Sequence, residues 1–300
     1  MNLKKISPSP YLLLGLTILF WSGNFVLGRG LNKAVPPVAL SFWRWFTAWL
    51  MILPFTLRPL TDQWRIILRF WKSLVLFSFL GVAGFSTLVY IGLTTTTATN
   101  GVLLNTTSPV FIILISRFIL KKHLSWRQGL GVAVAFLGVM IIVSRGDMAM
   151  LLGLRLHRGD LFVLAGVLCW AVYTACPHMR PSEVAPLSFV GATVGIGTMM
   201  ILPFYLWEMS RGAAMLITPP VMAGIFYLAL FPSILAYIFW NHAVGQVGAN
   251  TAGFFIYLMP VFGAFLSFVF LGESFLMYHL AGIIMIFSGV YLTTTMKTKT

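Results

Sequence analysis

The chain has 300 residues, of which 59% are hydrophobic and only 9% charged; its mean hydropathy is +0.93. A water-soluble domain carries roughly 25% charged residues, so this chain belongs in a bilayer, and ten helical spans of about 20 residues would leave no room for a large soluble head. Cys169 and Cys176 exclude a disulfide scaffold, and their spacing is neither a redox CxxC pair nor half of a zinc site, so no cofactor and no metal are expected. A net charge of +14 would suggest nucleic acid in a soluble protein. Here its meaning depends on where Lys and Arg fall relative to the apolar runs.

Apolar runs broken by charge, proline or glycine clusters predict spans over 10–29, 37–57, 72–92, 98–119, 126–144, 159–178, 186–207, 219–241, 248–271 and 276–295. They are too long for membrane strands and lack a barrel's alternation, so the expected class is an all-α integral membrane protein of ten transmembrane helices. Lys4 and Lys5 precede the first run, which is as long as a full span and has no small-residue cleavage site; it reads as a retained helix. With the amino terminus inside, thirteen basic residues are cytoplasmic: Lys4, Lys5, Arg58, Arg65, Arg69, Lys72, Arg117, Lys121, Lys122, Arg127, Arg180, Lys297 and Lys299. Six are outside (Arg29, Lys33, Arg145, Arg155, Arg158, Arg211) and Arg44 is intramembrane. This bias puts both termini in the cytoplasm. The basic excess is topological, and the expected partners are the lipid bilayer and a small-molecule substrate, not nucleic acid, for a monomer or homodimer. The segment from Trp64 to Lys72, WRIILRFWK, mixes aromatic and basic residues as an interfacial cytoplasmic helix does.

The chain repeats itself. At a shift of 149 residues Leu12 falls on Leu161, Trp21 on Trp170, Val35 on Val184, Pro37 on Pro186, and the run MILPF at 51–55 on MILPF at 200–204. At a shift of 151, Pro109 falls on Pro260, Leu120 on Leu271, Gly131 on Gly282 and Gly138 on Gly289. Identical prolines and tryptophans in two nearly constant frames divide the chain into repeats over 1–147 and 148–300. Five spans per repeat is an odd number, so the halves are expected to enter the membrane in opposite orientations. Inverted repeats are common in secondary transporters, where related half-bundles open a midplane site to alternate sides.

These residues resemble the ten-span EamA-type branch of the drug/metabolite transporter superfamily over nearly the whole chain. The resemblance rests on Phe20-Trp21-Ser22-Gly23-Asn24, on Phe42-Trp43-Arg44 followed by Leu53-Pro54, and on the Pro109 and Pro260 segments. In the second half, Leu258-Met259-Pro260-Val261 running to Leu271-Gly272-Glu273 and Gly282 is similar to the family's most recognisable stretch. Lys121-Lys122 stands where the second repeat has Gly272-Glu273, so the acid the family often carries there is missing from one half. The resemblance implies export of small metabolites, often amino acids or related compounds, across the bacterial inner membrane by alternating access. It leaves the substrate open, because relatives in the superfamily carry nucleotide sugars or phosphorylated sugars.

Candidate binding residues follow from polarity at membrane depth. The fourth span holds Thr99, Asn100, Asn105, Thr106, Thr107 and Ser108, which cannot face lipid cheaply. Pro109 cannot donate to the Asn105 carbonyl, predicting a kink with an exposed acceptor, and Pro260 does the same to Ile256 in the ninth span after Asn250 and Tyr257. Two related broken helices suggest a cavity lined by Asn105, Thr106 and Tyr257, or interhelical hydrogen bonding alone. Pro232 adds a third hinge, before Tyr237, Trp240, Asn241 and His242; Tyr237 matches Tyr90 of the third span. Tyr and Trp offer an apolar face with one polar handle, so Trp21 and Trp170 are expected to form opposing walls, with Asn24, Asn100 and Tyr173 as further candidates. Trp43, Trp45 and Trp207 read as interfacial belt residues.

Arg44 lies about 7 residues, roughly 10 Å, inside the second span. It either snorkels outward, ties its helix to neighbouring carbonyls, or holds a carboxylate of the solute. Its repeat partner is Thr193. Every acid lies at or beyond a predicted span end, and only His178 and His242 remain as titrating candidates, so facilitated diffusion or exchange stands beside proton antiport. No GxxxxGK[ST] sequence is present, which argues against ATP drive. The glycines seven apart predict close packing of the fifth and tenth spans. The leading reading is an exporter of amino acids or related metabolites; a nucleotide-sugar or sugar-phosphate exchanger, an intramembrane enzyme, and a receptor or assembly factor without transport are the rivals.

Overall fold

A computed structural model describes residues 8–31, 34–96, 98–119, 121, 125–147, 149–150, 153, 157–271 and 276–294. Lys4, Lys5, Lys33, Lys122, Arg155, Gly272, Glu273, Lys297 and Lys299 lie outside the described residues. The described residues contain no strand. The first half runs α1 (Pro10–Leu31), α2 (Pro37–Asp62), α3 (Trp64–Arg69), α4 (Trp71–Thr95), α5 (Ala98–Asn105), α6 (Ser108–Ile119) and α7 (Trp126–Val143). The second runs α8 (Arg158–Ala175), α9 (Pro186–Ser210), α10 (Pro219–Val247), α11 (Ala249–Phe254), a 3-10 turn over Phe255–Leu258, α12 (Met259–Leu271) and α13 (Met277–Thr294). Eight stretches among the described residues are long and apolar enough to cross a membrane, and Met277–Thr293 is a shorter apolar helix. The 22 residues of α1 rise about 33 Å.

Several helices overrun the expected spans. α2 continues to Asp62, α4 to Thr95, α9 to Ser210 and α10 to Val247, because a helix leaving the hydrocarbon keeps its hydrogen bonds after hydropathy stops marking it. α8 instead stops at Ala175, since the residue before Pro177 is pushed out of the helical region. The interfacial helix covers Trp64–Arg69 only. Phe70, at φ −101° and ψ 20°, breaks it from α4, and none of its six residues is buried.

The prolines do not kink the helices as expected. α5 ends at Asn105, and Pro109 sits in the first turn of α6, where its missing N–H costs nothing. The Asn105 carbonyl accepts instead from Ser108 Oγ at 2.7 Å. Pro260 likewise opens α12, and the Ile256 carbonyl accepts from the Met259 N–H through the tighter 3-10 turn. Pro232 lies inside a π-helical segment, Ala229–Leu235, where the Ala236 N–H reaches back five residues to the Phe231 carbonyl. A second π segment, Phe79–Gly84 in α4, has no proline and was not foreseen.

Small residues set how the long helices meet. α7 and α13 run antiparallel with Gly131 against Gly289 and Gly138 against Gly282, so close that a Cβ on Gly138 would stand 2.7 Å from the Gly282 carbonyl oxygen. α2 and α9 are also antiparallel: Thr56 fills the space at Gly191 and Trp49 that at Gly195. At one end of this pair the Glu208 carboxylate accepts the Val38 and Ala39 N–H groups at 3.2 and 2.8 Å, satisfying donors that a helix N-terminus leaves free. At the other, Gln63 Oε1 accepts from the Ala185 N–H at 3.1 Å. α4 crosses α8 through Gly92 and Gly159, and α1 meets α10 where Gly23 lies beneath Tyr227.

Replacing Gly138 with Leu is expected to destabilise the bundle by about 1–3 kcal/mol or more through overpacking. Gly245→Ala, whose new Cβ meets nothing within 4 Å, is expected to leave the midpoint unchanged. Thermal unfolding in detergent, followed by tryptophan fluorescence, separates the two.

Candidate functional site

Where the halves meet, Trp21 and Asn24 of α1, Arg44 of α2, Phe85 of α4, Asn105, Trp170 of α8, Tyr237 of α10, Ile256 and Met259 enclose a cavity of about 20 Å³. That is room for a water or two and no more. Within the wall, Trp21 and Trp170 coincide at the shift of 149 residues, and Asn105 and Ile256 at the later shift. Among the described residues the wall holds no carboxylate, histidine or lysine.

Arg44 organises the polar side. Its side chain is 3% exposed and does not snorkel. Nε donates to Ser233 Oγ at 2.6 Å, one Nη to Asn24 Oδ1 at 3.2 Å and the Tyr90 hydroxyl at 3.0 Å, the other to the Pro232 carbonyl at 3.3 Å. The Tyr90 hydroxyl in turn donates to Asn24 Oδ1 at 2.9 Å, and the guanidinium carbon lies 4.9 Å from the Trp45 ring centre. Every one of these partners is neutral. Five N–H donors meet four described acceptors, and no described carboxylate makes an ion pair with Arg44. Hydrogen bonds from a charged group contribute about 1.5–3 kcal/mol each, which is how a cation is held at a depth where it is otherwise costly.

The π segments supply backbone acceptors to this interface. The Pro232 carbonyl takes the Arg44 bond and another from Trp21 Nε1 at 3.1 Å. The Gly81 carbonyl, inside the π segment of α4, accepts from the Tyr237 hydroxyl. Each widened turn presents an oxygen to a side chain from another helix, as π segments at functional sites often do.

Trp21 and Trp170 do not stand as opposing walls. They touch edge to face, ring centres 4.9 Å apart at 89°, and Trp240 packs on Trp21 at 5.0 Å. Trp45 is not a belt residue: it is fully buried, donates to Ser86 Oγ at 2.8 Å and packs on Tyr237. Trp43 is half-buried against Phe42, Phe46 and Tyr205, and Trp207 is 60% exposed, where a belt residue is expected.

Of the residues singled out by polarity and repeat, Trp21, Asn24, Arg44, Asn105, Trp170 and Tyr237 reach the cavity wall. Tyr90 stands behind it, on Arg44. Thr106 is turned into its own helix, donating to the Leu103 carbonyl at 2.7 Å. Tyr173 shares hydrogen bonds with Asn241, and Trp240 donates to Thr174; both are buried off the wall. Tyr257 is buried too, and neither its hydroxyl nor Asn250 Oδ1 has a partner. Asn100 lies on α5, with its side chain outside the described residues. His178 and His242 are exposed. Phe85, Ile256, Met259 and Ser233 were missed; Ile256 was signalled by its repeat partner Asn105, while Ser233 carried no signal beyond following Pro232.

The fold is that of a multi-pass helical membrane protein, and no metal-holding cluster exists among the described residues. The chain belongs to the EamA-like transporter family of the drug/metabolite transporter superfamily: the family profile matches residues 8–144 and again 157–295. It is 28% identical over 282 residues to the uncharacterized transporter YyaM of Bacillus subtilis, covering 93% of this chain and 91% of that one. An uncharacterized transporter of Archaeoglobus fulgidus is 29% identical over 294 residues, 95% of this chain and 96% of its own. A probable terminal-alkyne amino-acid exporter of Streptantibioticus cattleyicolor is 29% identical over 195 residues, covering 64% and 63%. A solved crystal structure shares the fold at a TM-score of 0.76 over 95% of this chain and 96% of its own, with 17% identity.

Replacing Tyr90 with Phe removes an acceptor from Arg44 and a donor from Asn24. The expected cost is about 1 kcal/mol, read as a lowered unfolding midpoint in detergent, with membrane insertion unchanged.

Proposed function

We propose that the chain is a ten-span, inverted-repeat secondary transporter of the bacterial inner membrane, with both termini cytoplasmic. It exports amino acids or related carboxylates by alternating access through the cavity around Arg44. One observation carries this reading: a buried guanidinium, held only by neutral groups, faces a closed cavity at the junction of the halves. Such a cation selects a carboxylate, and the aromatic remainder of the wall suits the apolar part of an organic solute. The paired family matches at 8–144 and 157–295 and the antiparallel crossing of α7 with α13 support two inverted halves. The similarity to a probable amino-acid exporter supports the solute class. A sugar-phosphate or nucleotide-sugar exchanger would need several cations around its ligand, and this wall supplies one.

In the observed conformation the cavity is too small for any metabolite. On this reading, substrate binding requires Trp21, Trp170 and Tyr237 to part.

Purified protein in liposomes preloaded with amino acids is expected to show saturable counterflow. Arg44→Gln should lower it about tenfold or more for free amino acids and far less for the corresponding amides. Saturable exchange of sugar phosphates alone, or exchange indifferent to the Gln substitution, would overturn the assignment. Because the described wall holds no carboxylate, histidine or lysine, the half-saturating concentration of a neutral amino acid is expected to stay flat between about pH 6 and 8, well inside the range where its carboxylate is ionised. A steep change measured across that interval would point to a titrating group elsewhere.

A further inference from the structure

A second cation, half-buried, lies outside the cavity. Arg180 follows α8, in the connection that Ser73 Oγ pins through the Met179 carbonyl at 2.6 Å and Gln63 through the Ala185 N–H. It sits at the end of the molecule that carries the α2–α3 turn. Its guanidinium carbon is caged by three rings: Tyr173 at 4.9 Å, Phe77 at 5.3 Å and Phe189 at 5.4 Å. Nε is buried without a hydrogen-bond partner. Among the described residues its polar contact is a long one, 3.5 Å from Nη2 to the Tyr173 carbonyl, and no described carboxylate makes an ion pair with it. Burial lowers its pKa, yet arginine keeps its proton, so a charged group is under-satisfied here.

The cage leads to the Arg44 cavity. Tyr173 stacks on Trp170 at 5.1 Å and lies 6.0 Å from Tyr237, and both of those rings are cavity wall. Phe77 belongs to the first half and Tyr173 and Phe189 to the second, so the cage closes the seam between them.

The repeat shows what closure alone requires. At the shift of 149, Arg180 falls on Leu31 and Phe189 on Leu40. Leu31 and Leu40 lie with Val35, Ala39, Tyr90, Val221, Ile225 and Leu228 in a buried, largely aliphatic cluster at the opposite end of the seam. Phe77, in the register that pairs Tyr90 with Tyr237, falls on Gly224, which lies directly against Leu31. One end is thus sealed by leucine, and the equivalent position at the other end carries a cation that sealing does not need.

Resting on the carboxylate reading of the Arg44 cavity, we propose that Arg180 is a second carboxylate-binding station. It receives the solute at the α2–α3 end and passes it along Tyr173 and Trp170 to Arg44. In the closed state the three rings stand in for the solute, shielding the charge through cation–π contact. When that end opens, the free N–H donors meet a carboxylate. The transport path is chemically polar, with a cation at one mouth and leucine at the other.

The test measures half-saturation separately on each face, in liposomes whose protein orientation is set and verified by protease access to a terminal tag. The probe is an amino acid for which the wild type shows counterflow. Arg180→Gln is expected to raise half-saturation about tenfold or more on the α2–α3 face and leave the opposite face within about twofold. Arg180→Leu, which copies the repeat partner and preserves closure, should give the same one-sided loss, and Arg180→Lys should recover most of it. No change on either face, or an equal change on both, would overturn this proposal alone. A wild type without saturable carboxylate exchange would overturn the reading of the Arg44 cavity, and this one with it.

Discussion

Hydrocarbon offers no hydrogen-bond partner, and that constraint organises this molecule. A helix in lipid must satisfy its own backbone, so wherever one loses its regular pattern, the freed groups need partners from neighbouring helices. In α10 the widened turn around Pro232 presents its carbonyl, and Trp21 and Arg44 from the other half supply the donors. In α4 the Gly81 carbonyl meets the Tyr237 hydroxyl. The candidate site is assembled from these repairs. The same bonds that make the irregular turns tolerable also bring two tryptophans, a tyrosine and an arginine to one point between the halves.

The seam between the halves combines rigid and separable contacts. Gly131, Gly138, Gly282 and Gly289 let α7 and α13 approach to backbone contact, a dense packing that holds the two halves together at one side. Around the cavity the contacts are rings and single hydrogen bonds, which can exchange partners without exposing long runs of backbone. The ends of the α2 and α9 pair are tied by one polar group each, Glu208 at one and Gln63 at the other.

Polar residues in the chain divide by what they bond to, which residue type does not reveal. Asn24 and Asn105 reach the cavity wall, while Thr106 spends its hydroxyl on its own helix. Tyr90 and Tyr237, which match only in a relaxed alignment, have different duties: one accepts from Arg44, the other donates to Gly81. The two stretches that match the family profile differ in chemistry where Arg44 aligns with Thr193 and Arg180 with Leu31.

Composition and hydropathy by themselves determined the all-helical membrane class, because burial in lipid demands long apolar segments whatever the packing. The repeat marked Trp21 with Trp170 and the glycine pairs as equivalent, since inherited positions keep their spacing. Arg44 stood out as the lone charge in an apolar run. What only the tertiary structure decided was that this arginine stays buried among neutral partners, that Trp45 turns inward, that Tyr257 stays off the wall, and that Pro109 and Pro260 begin helices. Those outcomes depend on contacts between residues far apart in the chain, such as Arg44 with Ser233 and Tyr173 with Phe77. Periodicity reports which face of a helix is apolar; it carries no record of which carbonyl a neighbouring helix has left free.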